Sequence, residues 1–254
     1  MIIGIKTRWL ELNSDEINKL SNHVELHLEL NDIYELFDKQ VVFLKRFNKT
    51  FHLHAPFKDD GGDFLDFIDD FKVFEQCVRL GDKINKGFYH LVCHAPKSTD
   101  LVLLKKLVSK LLHQSSKVII CFENLCGPEA ITFNSVKSFT NLFRSVTNKR
   151  VGMCLDLCHA YIVGPIFFDL IMTKIPERVL HVHFADTGAN GEHGFQMGKG
   201  IIDFKHVMSR LPDKAVLIPE ITNGHLNHNK GLIIAYNKIK RLLQSKTSEL
   251  RTSI

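Results

Sequence analysis

Fourteen histidines lie unevenly along the 254 residues, and they collect where short apolar runs end. One run closes on His52-Leu53-His54 ahead of Ala55-Pro56, a later one enters His94-Ala95-Pro96, and a third stops at Glu123-Asn124. Then come Asp156-Leu157-Cys158-His159, His181-Val182-His183-Phe184-Ala185-Asp186 and Pro219-Glu220. Consecutive apolar runs thus deliver His, Glu or Asp at the same end. Gathering so many ionisable groups in apolar surroundings is costly unless something pairs them, and a divalent cation is a natural partner for converging carboxylates and imidazoles. Glu123, Asp156, Glu220 and His183 offer a mixed oxygen and nitrogen set that suits Mn²⁺, Mg²⁺, Co²⁺ or Zn²⁺. Side chains alternate along a strand, so His52 and His54 share a face, as do His181 and His183. One member of each pair is enough for a ligand.

The elements that must position these groups follow from periodicity. Candidate strands are Ile2–Lys6, Val24–Leu30, Phe51–His54, Phe88–Cys93, Lys117–Phe122, Val151–Asp156, Arg178–Phe184 and Ala215–Glu220. Between them run segments with helical spacing: Ile33–Phe47, Phe64–Leu80, Leu101–Leu112 behind Ser98-Thr99-Asp100, Phe133–Val146, Tyr161–Ile175, Phe204–Leu211 and Leu232–Leu243. Runs such as Val118–Phe122 are apolar on both faces, the pattern of parallel strands covered by helices. Eight strand-helix units of about 32 residues match a (β/α)₈ barrel, whose chemistry sits at the C-terminal ends of its strands. The expected fold is therefore α/β, a single eight-stranded parallel TIM barrel over residues 1–244, with a polar C-terminal tail at 245–254 that frays. Phe67, Phe71 and Phe74 have helical spacing and read as core.

Composition bounds the rest. Hydrophobic residues at 44% and charged residues at 24% are those of an ordinary globular chain, which excludes disordered and fibrous classes. The net charge of +5 compels neither a nucleic acid nor a phosphorylated substrate. Six cysteines without a C-x-x-C pair read as reduced thiols. No apolar run reaches the ~18 residues of a membrane span, and the start of the chain lacks an export pattern, so no membrane partner and a cytoplasmic location are expected.

Taken in order, these motifs resemble the xylose-isomerase-like barrels, the family of endonuclease IV and the sugar isomerases and epimerases related to it. The stretches that carry the likeness are His54-Ala55-Pro56-Phe57, His94-Ala95-Pro96, Glu123-Asn124-Leu125-Cys126-Gly127, Cys154 to Ala160, His183-Phe184-Ala185-Asp186 and Gly198 to Asp203. The resemblance implies that Glu123, Asp156, His183 and Glu220 form the shared metal-binding set. It also implies that His54, His94, His159 and His193 stand where endonuclease IV places further ligands of a three-zinc cluster. That pattern has an Asp two positions before the last histidine, where this chain has Gly191, with Glu192 as the neighbouring acid. The DNA-inserting Tyr-Leu is replaced by Phe57-Lys58, and no Asn-Pro-Arg loop is found.

The likeness therefore points first to a metal-dependent isomerase or epimerase of a sugar or sugar phosphate. In that branch a metal-bound carboxylate pair, here Glu123 and Glu220, moves a proton alpha to a carbonyl, and His159 holds a substrate hydroxyl. The alternative is a zinc-dependent endonuclease IV-like phosphodiesterase on damaged DNA. The implied cofactor is one to three divalent ions, Zn²⁺ or Mn²⁺ before Mg²⁺ or Co²⁺. Backbone N–H groups at Gly198 and Gly200 are read either as a tight loop or as a phosphate cradle, and the polar segment Asn223–Asn229 either as a substrate contact or as a solvated loop.

Overall fold

The architecture is that of a computed structural model, which describes residues 1–13, 15–59, 61–97, 100–127 and 135–252. The first apolar run does not make one strand. It divides at Gly4 into β1 (Ile2–Ile3) and β2 (Ile5–Thr7), followed by β3 (His23–His27), β4 (Thr50–His54), β5 (Tyr89–His94), β6 (Val118–Glu123), β7 (Val151–Asp156), β8 (Val179–Phe184) and β9 (Val216–Pro219). The sheet order is β1-β9-β8-β7-β6-β5-β4-β3-β2, and every pair is parallel. The two halves of the split run thus pair with opposite ends of the sheet and bring it nearly to closure, an α/β barrel of the expected kind. Gly4 sits tightly at the split: its N–H donates to Leu217 O at 2.9 Å, and a Cβ there would displace the Ile218 side chain and stand 3.0 Å from His23 O.

The helices are α1 (Asp15–Leu20), α2 (Leu30–Ile33), α3 (Phe37–Leu44), α4 (Phe71–Ile84), α5 (Leu101–Gln114), α6 (Val136–Ser145), α7 (Leu157–Val163), α8 (Pro165–Lys174), α9 (Phe204–Arg210) and α10 (Leu226–Thr252). Two of the expected helices are each divided in two. The segment expected to be helical from Ile33 to Phe47 is α2 and α3, and that from Tyr161 to Ile175 is α7 and α8. The second break has a clear cause, Gly164 at φ 147° followed by Pro165 at the first turn of α8. Asp100 caps α5 by accepting from Val102 N and Leu103 N, while Ser98, Thr99 and Phe133 lie outside the described residues. The segment expected to fray as a tail from residue 245 is instead the last part of α10 through Thr252. It is tied down early by Lys246 Nζ, which donates to Leu211 O at 2.9 Å. No single described helix is long and apolar enough to cross a membrane.

Apolar burial is concentrated between strands and helices, where Phe51, Phe67, Phe74, Phe122, Phe139 and Phe168 are almost wholly enclosed. Phe67 packs on Phe74 and Phe122 with ring centroids 4.8 and 5.0 Å apart, the core role its spacing predicts. The barrel interior is different in kind. Alternation along β3 brings His23, Glu25 and His27 inward, and similar registers bring in His52, His54, His90, His181 and His183, with a small apolar cluster of Val92, Cys121 and Cys154 among them. Barrels of this type are usually filled by branched apolar side chains. Here a polar column leads up to the C-terminal rim.

Candidate metal centre

The strand ends converge as the sequence pattern requires. Glu123 ends β6, Asp156 ends β7, His183 lies on β8 and Glu220 follows β9. One ligand atom from each falls within 4.8 Å of the others. His183 is the hub: its Nδ1 is 3.0 Å from Glu123 Oε1, 2.6 Å from Glu220 Oε2 and 3.9 Å from Asp156 Oδ2. Its other nitrogen, Nε2, lies 3.1 Å from both oxygens of Glu25. Asp156 is held from behind by Asn124, whose side chain donates to Asp156 O and accepts from Asp156 N at 3.0 and 2.8 Å.

Neighbouring charges set the ionisation of these groups. Burial would raise Glu123, but His183 and the hydrogen bonds from His183 and His54 hold it well below the usual carboxylate range. Glu220 is likewise held low against its burial, by His183 and Lys6. Asp156 moves the other way, pushed up by burial and by Glu123 and Glu220. His183 is held well above the imidazole range against burial by the charges of Cys154, Glu220, Glu25 and Glu123. His183, Lys6 and His159, which Asp156 and Glu123 hold above the imidazole range against its burial, are the cations set among the three converging carboxylates and Glu25.

The further histidines divide into two groups. His54 donates from Nδ1 to Ala55 O at 2.9 Å, which leaves Nε2 facing Glu123 Oε2 at 3.2 Å, and His94 Nε2 faces the same oxygen at 3.8 Å. Burial lowers His94 to about 4, so it is a neutral donor. His159 donates from Nδ1 to Asn124 O at 2.9 Å, and its ring centroid is 6.1 Å from that of His193. Neither His159 nor His193 enters a group of three converging ligand atoms among the described residues. Gly191 sits at φ 86°, and the Glu192 carboxylate is folded against Gly188, so that acid does not replace the missing Asp.

The sequence pattern of a family described as xylose isomerase-like TIM barrel matches residues 43–242. The chain belongs to this family. Among curated relatives, "Probable endonuclease 4" of Mesomycoplasma hyopneumoniae is 26% identical over 78% of each chain. The protein of the same name from Mycoplasma mobile is 25% identical, and the chain spans 60% of its length. Among solved structures, a D-tagatose 3-epimerase-like protein superposes with a TM-score of 0.73 at 16% identity, over 98% of this chain and all of that one. An AP endonuclease, family 2, from Brucella melitensis gives 0.69 at 15% identity over 91% and 96%. At such identities the structural likenesses speak for the fold alone.

Members of the xylose isomerase-like family bind divalent metals, and the donor set here fits one. Glu220 Oε2 is buried and, although close to His183 Nδ1, makes no hydrogen bond. An oxygen left so among three other ligand atoms is the signature of a site shaped for a cation. Above it opens a cleft of about 490 Å³ whose charged lining is Lys6, Arg8, Glu11, Glu29, Asp156 and Glu220. His159, His193 and His225 also line it, so part of the polar segment after β9 does face the site. Glu220 is 34% exposed by side chain, whereas Glu123 is 2% exposed and lies beneath the cleft floor.

Two readings of the sequence need amendment. The N–H groups of Gly198, Gly200 and Ile202 do not form a free phosphate cradle, because all three donate to the Asp186 carboxylate at 2.8, 2.9 and 3.1 Å. The centre also contains two residues the motif analysis passed over, Lys6 and Glu25. Lys6 Nζ lies 2.5 Å from Glu220 Oε1 and 3.2 Å from Glu25 Oε1. Their signal was present: Glu25 alternates with His23 and His27, and Lys6 with Gly4, so each points where the histidines point.

Proposed function

We propose that this chain is a divalent-metal-dependent isomerase or epimerase acting on an uncharged polyhydroxy carbonyl compound, a free sugar. The observation that carries this reading is the size and lining of the cleft. A cavity of about 490 Å³ bordered by acids and bases together, Lys6, Arg8, Glu11, Glu29, Asp156, His159 and Glu220, suits a small polyol that takes hydrogen bonds of both kinds. The occupied amides around Asp186 favour a free sugar over a phosphorylated one.

Glu123, Asp156, His183 and Glu220 would hold the cation. When bound, it supplies Lewis-acid polarisation of a carbonyl oxygen and an adjacent hydroxyl. Glu220 is the carboxylate open to the cleft, kept ionised by Lys6 and His183, and it removes the proton next to the carbonyl. Glu123, the other member of the pair, returns the proton from beneath. His159 is held above the imidazole range by Asp156, Cys126 and Glu123 in spite of burial, and it donates to a substrate hydroxyl.

A second reading, a zinc-dependent phosphodiesterase acting on damaged DNA, is favoured by the convergence of His54 and His94 on one oxygen of Glu123, a place for a second ion. The relatives named endonuclease 4 support it too. Metal analysis beside two assays separates the readings. About one ion per chain, deuterium uptake from solvent next to the carbonyl of a free ketose, and loss of that uptake in Glu220→Gln support the isomerase. About three zinc ions with cleavage of an abasic-site duplex would overturn it.

A further inference from the structure

We propose that Glu25 is a positioning residue that fixes His183 in the tautomer able to ligate a cation. This rests on the reading that Glu123, Asp156, His183 and Glu220 bind a divalent metal. A neutral imidazole carries one N–H, and a ring nitrogen that ligates a cation must not bear it. Around His183 that proton has competing acceptors on both sides. Glu123 Oε1 and Glu220 Oε2 lie 3.0 and 2.6 Å from Nδ1, and a proton settled there would block the ligand lone pair. On the other side both oxygens of Glu25 lie 3.1 Å from Nε2, the symmetric approach of a carboxylate to a single N–H. When His183 gives up one proton to take a cation, Glu25 therefore keeps the other at Nε2 and leaves the Nδ1 lone pair toward the three carboxylates.

The surroundings of Glu25 show a part built to stay in place. It has no exposed surface, and it comes from β3, a strand that contributes none of the four ligands. Lys6 Nζ lies 3.2 Å from its Oε1 and His181 Nε2 2.6 Å from its Oε2, so a basic side chain stands against each oxygen. His181 is buttressed in turn by His90, with the two Nδ1 atoms 3.0 Å apart. An acid buried this deeply would be costly if it served packing alone. Because Lys6 also reaches Glu220, the same cation ties the positioning carboxylate to the one that opens on the cleft.

The test is titration of the metal-free protein with Co²⁺, compared across the wild type, Glu25→Gln, Glu25→Asp and Val92→Ala. The last variant trims the interior apolar cluster of Val92, Cys121 and Cys154 and removes no ionisable side chain. Removing an outer partner of a ligating histidine costs about 10–100-fold in metal affinity. Glu25→Gln is expected to lose that much, and its ¹⁵N spectrum, taken at a pH where the ring is neutral, to show His183 divided between tautomers. Val92→Ala should keep both the affinity and the single tautomer. Should the Gln variant fail to fold, Glu25→Asp keeps the charge one methylene further away and is expected to show a smaller loss of the same kind. The proposal is overturned by a Gln or Asp variant that binds Co²⁺ like the wild type, and equally by a Val92→Ala loss as large as theirs. A wild type that takes up no Co²⁺ overturns the metal reading itself, and a wild type and variant that bind equally overturn the role of Glu25 alone.

Discussion

Lys6 Nζ lies 2.5 Å from Glu220 Oε1, joining residues 214 positions apart across the seam of the barrel. The two are held in place by different strands, β2 before the sheet and the end of β9 after it. Glu220 thereby spends one oxygen on a fixed cation and turns the other toward His183. Lys6→Met keeps the apolar stem and removes the charge. Turnover is expected to fall by about 10²-fold, while metal content stays near that of the wild type. Steady-state kinetics beside elemental analysis checks this, and a variant that turns over normally would remove Lys6 from the machinery.

Stability should follow metal supply. A ligand that binds only the folded chain, at about 100 times its dissociation constant, adds about 2.7 kcal/mol. For a chain of this size each kcal/mol moves the midpoint by about 2–4 °C. Chelator-treated protein is therefore expected to melt about 5–10 °C below the metal-loaded form in scanning calorimetry. His183→Ala should show no difference between the two conditions.

Asp186 is the anchor of the loop that follows β8. Its carboxylate accepts from Thr187, Gly198, Gly200 and Ile202, and the residue has no exposed surface. Asp186→Ala leaves four amides without that acceptor, at about 1–3 kcal/mol for each one that water cannot reach. A loss of at least about 3 kcal/mol is expected in urea unfolding. Gly200→Ala should be comparably harmful, since a Cβ there runs into Thr187 O and stands 2.5 Å from Asp186 Oδ1.

Thiol reactivity should single out one cysteine. Cys77, Cys93, Cys121, Cys154 and Cys158 are buried, and burial raises all five thiols well above their ordinary range. Thiolate is the reactive form. Brief treatment of the native protein with iodoacetamide is expected to label Cys126, the one half-buried thiol among the six, and mass spectrometry after digestion reads the result. Early labelling of Cys154 would mean that the interior opens.

The rim was legible because its residues interrupt apolar runs: His54, Glu123 and Asp156 each close a strand, His183 stands one residue before the end of its own, and strand ends face one way in a parallel barrel. Glu25 and Lys6 were harder to see for a physical reason. They lie in the middle of short strands, where alternation marks a face without saying that the face is polar. Their meaning depends on His181 and His183, more than 150 residues later. The division of the first strand was hidden too. Gly4 reads locally as one more small residue, and only the approach of Ile218 and His23 in the fold shows how little room a side chain has there. The occupation of the Gly198 and Gly200 amides by Asp186 is a loop-scale contact with no periodic trace.

The divided first strand also sets when this molecule becomes competent. Ile2 and Ile3 wait for Val216 and Leu217 as partners, and Lys6 waits for Glu220. During synthesis the N-terminal segment emerges first, yet its hydrogen-bonding partner is among the last to be made, so the ring cannot shut on an unfinished chain. Three of the four converging side chains, Glu123, Asp156 and His183, exist before that moment, and Glu220 arrives with the strand that seals the barrel. Closure of the ring and completion of the cluster are therefore one event, and a chain truncated before residue 216 would have the histidines without Glu220 beside them.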